Sequence, residues 1–207
     1  MLVIRIGLVM LQGARHVHIS SLNKAARDSN IEIKVVQLRK SSDLLDEDIH
    51  AIIIPGGEST TMRLTGNSPD SLLLPSLIDW LRKRPNLPVL GTCAGAILLS
   101  DPQDKKESLI DATINRNAYG RQIDSFQADI QTPLLGRTFP GVFIRAPKFN
   151  SDVSAEDIVA ICEGEVVGVR KENRLALTFH PELSEDVGFH RWLIERASTI
   201  MEAKNVS

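Results

Sequence analysis

The sequence predicts an α/β fold, an open and mostly parallel sheet with helices on both faces. Three observations carry this. Short β-branched and aliphatic runs recur along the first half, and each ends at Gly, Pro or a polar cluster. Segments of helical period lie between them. The runs are apolar almost throughout rather than alternating, as in strands covered on both faces.

The elements follow in order. "LVIRIGLVM" (2–10) is a strand, and "HVHISSLNKAARDSN" (16–30) a helix with Val17, Ile19, Leu22, Ala25 and Ala26 among its apolar positions. "IEIKVVQL" (31–38) and "HAIIIPGG" (50–57) are strands, the second stopped by Pro55. "DSLLLPSLIDWLRKRP" (70–85) is a helix in which Pro75 predicts a kink or a break. "PVLGT" (88–92) is the fourth strand and "AGAILLS" (94–100) the helix after it. From residue 111 strands come in close succession: "DATINRNAY", "RQIDSFQADI", "GVFIRAP" and "DIVAIC". In "EVVGVRKENRLALTFHP" the tetrapeptide "RKEN" marks a hairpin turn. The last segment, from Ser184, is a helix with Ser184 as its expected cap. With no repeat and no low-complexity linker, residues 1–207 are expected to form a single domain carrying a strand-rich insertion.

A net charge of −2 supplies no positive field for nucleic acid or anionic lipid. Arg5 interrupts the N-terminal apolar run, so a buried first strand is expected there rather than a targeting segment. Cys93 and Cys162 form no C-x-x-C pair, which makes the cytoplasm the default compartment. His16 and His18 point to different sides of a helix, so surface or interface histidines are expected and no metal site.

"GTCAG" (91–95) matches a nucleophile elbow with Cys93 as the nucleophile. A sharp strand-to-helix turn would lift the sulfur above the sheet edge, the helix N-terminus would favour thiolate, and the Ala94 N–H would face a developing oxyanion. On this motif alone a small buried cysteine remains an equal reading. "TFHPEL" (178–183) supplies a base, His180, and Glu182 two residues on. Pro181 favours an extended His180, which would put both side chains on one side so that Glu182 orients the imidazole. The alternative is a surface H-P-E at a helix entrance. "IIIPGGESTTM" (52–62) offers Gly56 and Gly57 N–H groups to a substrate oxygen, or else is a plain connection capped by Ser59 or Thr60.

Together these elements resemble the class I glutamine amidotransferases. Within them, "LQGA", "IIPGGESTT", "GTCAGAILL", "RNAYGRQIDSF", "GVFIRAP" and "FHPEL" resemble, in the same order, the glutaminase subunits of pyridoxal 5′-phosphate synthases. The resemblance spans residues 11–183 and rests most on "GGEST" and "RNAYGRQ". It implies a flavodoxin-like sheet and a Cys93–His180–Glu182 triad that hydrolyses L-glutamine through a thioester. It implies an oxyanion hole at Gly57 and Ala94, and glutamine contacts at Gly57, Glu58, Ser59, Arg116, Ile144 and Arg145. Charge suggests Arg116 or Arg145 for the α-carboxylate and Glu58 for the α-ammonium. It further implies no cofactor, and a synthase subunit that receives the ammonia for vitamin B6 synthesis and whose docking arranges the oxyanion hole. The Gly56–Gly57 peptide is the expected switch. Three features depart from the family pattern: Val17 stands where an acidic residue often precedes His18, the stretch 63–87 is longer, and 100–112 is shorter. The rival readings are a cysteine peptidase or deglycase with the same elbow, which would lack the pairing of "GGEST" with "HPE", and a non-catalytic subunit.

Overall fold

The computed structural model describes residues 2–13, 15–45, 48–116, 125–150 and 152–206. Its first half reads β1 (Val3–Val9), α1 (Arg15–Ser29), β2 (Glu32–Leu38), β3 (Ala51–Ile54), α2 (Ser59–Gly66), α3 (Leu73–Arg82), β4 (Val89–Thr92) and α4 (Ala94–Ser100). Then come β5 (Ile114–Asn115), β6 (Ser125–Thr132), β7 (Arg137–Ile144), β8 (Lys148–Phe149), β9 (Ile158–Cys162), β10 (Glu165–Lys171), β11 (Arg174–Leu177) and α5 (Gly188–Val206).

A nine-stranded sheet runs β2-β1-β3-β4-β11-β10-β9-β6-β7. Its first five strands are parallel, in the order typical of flavodoxin-like sheets. The remaining pairings, from β11–β10 to β6–β7, are antiparallel. The sheet is therefore mixed, because the second half turns back through hairpins instead of helical crossovers. β5 and β8 form a separate two-stranded pair.

Both faces of the parallel part are covered, which explains its unbroken apolar runs. Ile4, Ile6, Leu8, Ile53, Leu90, Leu175 and Leu177 face α1 and α5. Ile52, Ile54, Val89 and Ala176 face α2, α3 and α4 on the other side. Each fully buried Leu or Ile contributes about 1.5–3 kcal/mol of transfer free energy. A second packing unit is aromatic. Phe139, Phe143, Phe179 and Phe189 are buried together, with the Phe139–Phe189 centroids 5.0 Å apart and the Phe143–Phe179 centroids 5.7 Å apart. This cluster ties β7, the end of β11 and the start of α5 into one block. Phe179 precedes His180 and Phe143 precedes Ile144, so the block fixes where both neighbours stand.

Some local expectations change. α1 buries His18, Ser21, Leu22, Ala25 and Ala26, so its inner stripe runs through His18, and only His16 of the H-x-H pair is exposed. The stripe has the i, i+3, i+4, i+7 spacing of a helix lying on a sheet. Pro75 neither kinks nor breaks a helix. α3 starts at Leu73 after Leu72 in a left-handed conformation (φ 47°), so Pro75 lies in the first turn, where N–H groups have no intrahelical partner. Ser184 does not cap α5, which begins at Gly188. Ser184 Oγ accepts from the Asp186 N–H, and Asp186 accepts from the Gly188 N–H at 2.8 Å. The "RKEN" turn stands: β10 and β11 pair up to Lys171 and Arg174, with Glu172 at φ 54°.

Candidate active site

In parallel sheets of this kind ligands bind beyond the carboxyl ends of the strands. Four such ends, those of β1, β3, β4 and β11, adjoin here, and the singled-out residues follow three of them.

Cys93 directly follows β4 and directly precedes α4, with φ 49° and ψ −106°. An L-residue there carries about 1–3 kcal/mol of backbone strain, held by its surroundings. The Cys93 N–H donates to the Leu177 carbonyl at 2.7 Å, so the β4–β11 ladder runs right up to the nucleophile position. Behind it, a Cβ on Gly95 would stand 2.0 Å from the Ile54 carbonyl oxygen. Only glycine lets α4 sit this close to β3, which is the physical content of the second glycine in "GTCAG".

His180 follows β11 by three residues. Its N–H donates to the Val142 carbonyl at 2.8 Å, joining it to β7. Pro181 opens a 3-10 turn, Pro181–Leu183. The turn, rather than the extended segment expected, brings Glu182 back onto the ring, and Glu182 Oε1 lies 2.7 Å from His180 Nδ1. An ionised carboxylate only accepts, so Nδ1 carries a proton directed at Glu182, and Nε2 is the nitrogen left for Cys93. Burial works against the charged imidazole, but hydrogen bonds to the Cys93 sulfur and the Glu182 carboxylate outweigh it and raise the His180 pKa to about 10. Burial also opposes the Glu182 carboxylate, yet its neighbours, the hydrogen-bonded His180 among them, hold its pKa below the usual value.

The β3 loop closes the site. A Cβ on Gly56 would stand 2.5 Å from His180 Cε1 and 3.3 Å from Cys93 Cβ, so the Gly56 backbone lies against both. Gly56→Ala would push the imidazole off the sulfur. A displacement of this size costs on the order of 100-fold in turnover, and a kcat for glutamate release within about threefold of the parent would contradict this geometry.

Gly57 has φ 152°, and the next amide, the Glu58 N–H, donates to Gln12 Oε1 at 2.7 Å. Gln12, beyond the end of β1, is a site residue that residue types did not single out. Its only sequence signal is its place in "LQGA", at a strand end. Glu58 itself is the N-cap of α2, in place of Ser59 or Thr60. Its Oε1 accepts from the Thr60 N–H, and its Oε2 from the Thr61 N–H and hydroxyl. Those bonds lower its pKa to about 2.

The structure thus brings together Cys93, His180, Glu182, Gly56–Gly57, Ala94 and Ile144, whose carbonyl lies 4.0 Å from Cys93 Sγ. Ser59 is buried as the first residue of α2. Arg145 follows Ile144 with φ 44° and is exposed. Arg116 is engaged elsewhere. Its guanidinium donates to Asp101 Oδ2 at 2.7 Å, just past the end of α4. Residues 117–124, most of "RNAYGRQIDSF", lie outside the described residues.

Comparisons with known proteins agree with this arrangement. A model of the SNO glutamine amidotransferase family matches residues 8–199. The pyridoxal 5′-phosphate synthase subunit PdxT of Thermococcus gammatolerans is 39% identical over 94% of this chain and 99% of its own. That of Methanosarcina mazei is 34% identical over 93% of this chain and 98% of its own. A crystal structure of a glutamine amidotransferase superposes with a TM-score of 0.75 at 35% identity, covering 93% of this chain and 98% of that one. One from Thermotoga maritima, at 16% identity and a TM-score of 0.58, shares the fold over 99% of this chain and 86% of that one. This chain belongs to the SNO glutamine amidotransferase family.

Proposed function

We propose that this protein is the glutaminase subunit of a pyridoxal 5′-phosphate synthase, in which Cys93, His180 and Glu182 hydrolyse L-glutamine. The observation that carries the reading is the continuous chain from the strained Cys93 through His180 to buried Glu182. The Cys93 thiolate attacks the side-chain amide carbon, and the oxyanion receives the Ala94 and Gly57 N–H groups. The His180 imidazolium gives its proton to the departing nitrogen, and ammonia leaves. Water, deprotonated by His180, then attacks the thioester, and glutamate leaves as Cys93 is regenerated. Gly57, Glu58, Ser59, Ile144 and Arg145 line the glutamine site, and Arg116 exchanges Asp101 for the glutamine α-carboxylate.

Ammonia released into neutral water is protonated and no longer nucleophilic, so a partner that consumes it directly is required. The reading therefore includes a synthase subunit docked over the site and one glutaminase domain spanning 1–207. The names of the relatives support that partner. In this protein the Glu58 N–H is held by Gln12, and a docked partner would reset the Gly56–Gly57 peptide beside it. No helix among the described residues is long and apolar enough to cross a membrane. Both cysteines are free thiols, consistent with a cytoplasmic location.

The test is glutamate release from glutamine with and without a pyridoxal 5′-phosphate synthase synthase subunit. Release is expected to rise when the subunit is added. No release in either condition would overturn the reading.

A further inference from the structure

Behind the triad lies a pair of histidines that the chemistry above does not use. His18 on α1 and His190 on α5 are both fully buried. His18 Nε2 lies 3.5 Å from Glu182 Oε1, the same oxygen that meets His180. On its other side, His18 Nδ1 lies 3.0 Å from His190 Nε2. The four groups form one line from the protein interior to Cys93: His190, His18, Glu182, His180. The Ser21 hydroxyl, one turn along α1, reaches the Glu182 backbone carbonyl at 3.5 Å, so α1 contacts this residue twice.

The protons in this line can be assigned. Burial is the largest influence on both histidines. It lowers the pKa of His18, and it lowers that of His190 to about 3. The titratable groups that bear on the pair are Glu182 and His180. Both rings are therefore neutral, with one N–H each. The Glu182 carboxylate can only accept, so the His18 nitrogen facing it, Nε2, carries the hydrogen. His18 Nδ1 is then bare and accepts from His190 Nε2–H, and His190 Nδ1 carries no proton. Every donor points the same way, toward the carboxylate.

We propose that His18, its tautomer set by His190, is a positioning residue of this glutaminase: it donates a second N–H to Glu182 and fixes the carboxylate that orients His180. It does so without adding charge. A cationic partner would compete with His180 for the carboxylate, whereas a neutral imidazole braces it. At 3.5 Å the two groups stand just beyond a normal hydrogen bond, and buried His18 Nε2 meets no other acceptor among the described residues, so a small approach toward Glu182 completes the bond. The inference rests on the glutaminase reading, but its first test does not depend on turnover.

That test is the ¹⁵N spectrum of the histidine-labelled full chain. His18 is expected as the neutral Nε2–H tautomer at pH 7. A charged His18, or the Nδ1–H tautomer, would overturn the proposal even if no variant folds. The second test is kinetic, with the synthase subunit present. His18→Leu is expected to lower kcat roughly 10- to 100-fold, the usual cost of losing an outer hydrogen-bond partner of a site, while KM for glutamine stays within about threefold. His18→Gln, which keeps an N–H donor, should recover most of the loss. Equal losses in Leu and Gln, or a loss confined to KM, would count against it. In a Glu182→Gln background the His18→Leu cost should vanish, because His18 acts only through that carboxylate. A full additional loss there would refute the coupling.

Discussion

Cys93→Ala is expected to abolish glutamate release, on the order of 10⁴-fold or more, whether or not the synthase subunit is bound. Loss of a catalytic nucleophile leaves only binding and oxyanion stabilisation. The fold should survive, because Cys93 is small and buried and its place is set by the β4–β11 ladder bond and the packing of α4. The left-handed φ of 49° stays strained for alanine, so no stabilisation is expected from the change. His180 should report the loss independently. The Cys93 sulfur is the first of the influences that raise its pKa toward 10, so an NMR titration of His180 in the variant should give a distinctly lower value. A glutamine-like electrophile should label Cys93 in the parent. Cys162, whose thiol burial holds above its ordinary pKa, should stay unlabelled. Unchanged release in Cys93→Ala, or labelling at Cys162, would refute the mechanism.

Glu182→Gln should lower kcat by about 10²- to 10⁴-fold, since the imidazolium loses the charged acceptor that orients it and stabilises its charge. The pH profile carries the sharper signature. With a pKa raised to about 10, His180 is protonated across neutral pH, and if it serves as the proposed acid, kcat/KM should fall as pH rises toward about 10. Removing the Glu182 charge lowers the His180 pKa, and the alkaline limb should move to lower pH. The stability linkage has the same sign. A folded-state pKa raised from 6.5 to about 10 contributes stability that is complete below about pH 6.5 and lost as pH rises through 10. An alkaline limb at the same pH in parent and variant would show that Glu182 does not control His180.

The antiparallel half of the sheet was visible in the sequence as strands in close succession. Its consequence for the site was not, because it lies in the aromatic cluster. Four phenylalanines scattered from residue 139 to 189 converge only when β7 folds beside the end of β11, and that convergence places Ile144 against Cys93. Glu58 shows a different limit. Its charge suggested a partner for an ammonium group, yet in the fold its carboxylate accepts from two N–H groups and the Thr61 hydroxyl of its own helix.

The sequence by itself determined the parallel α/β core, the cysteine elbow, the late His-Pro-Glu and the Gly-rich loop. Each of these is a local pattern, a run of apolar residues or a short spacing whose geometry the backbone imposes within a few residues. Only the tertiary structure decided that Gln12 holds the Glu58 amide, that Arg116 pairs with Asp101, and that His18 and His190 stand behind Glu182. Those contacts join residues 46, 15 and 172 positions apart. They depend on which helix packs on which face of the sheet, and a histidine on α1 carries no local sign that a carboxylate far along the chain will be buried against it.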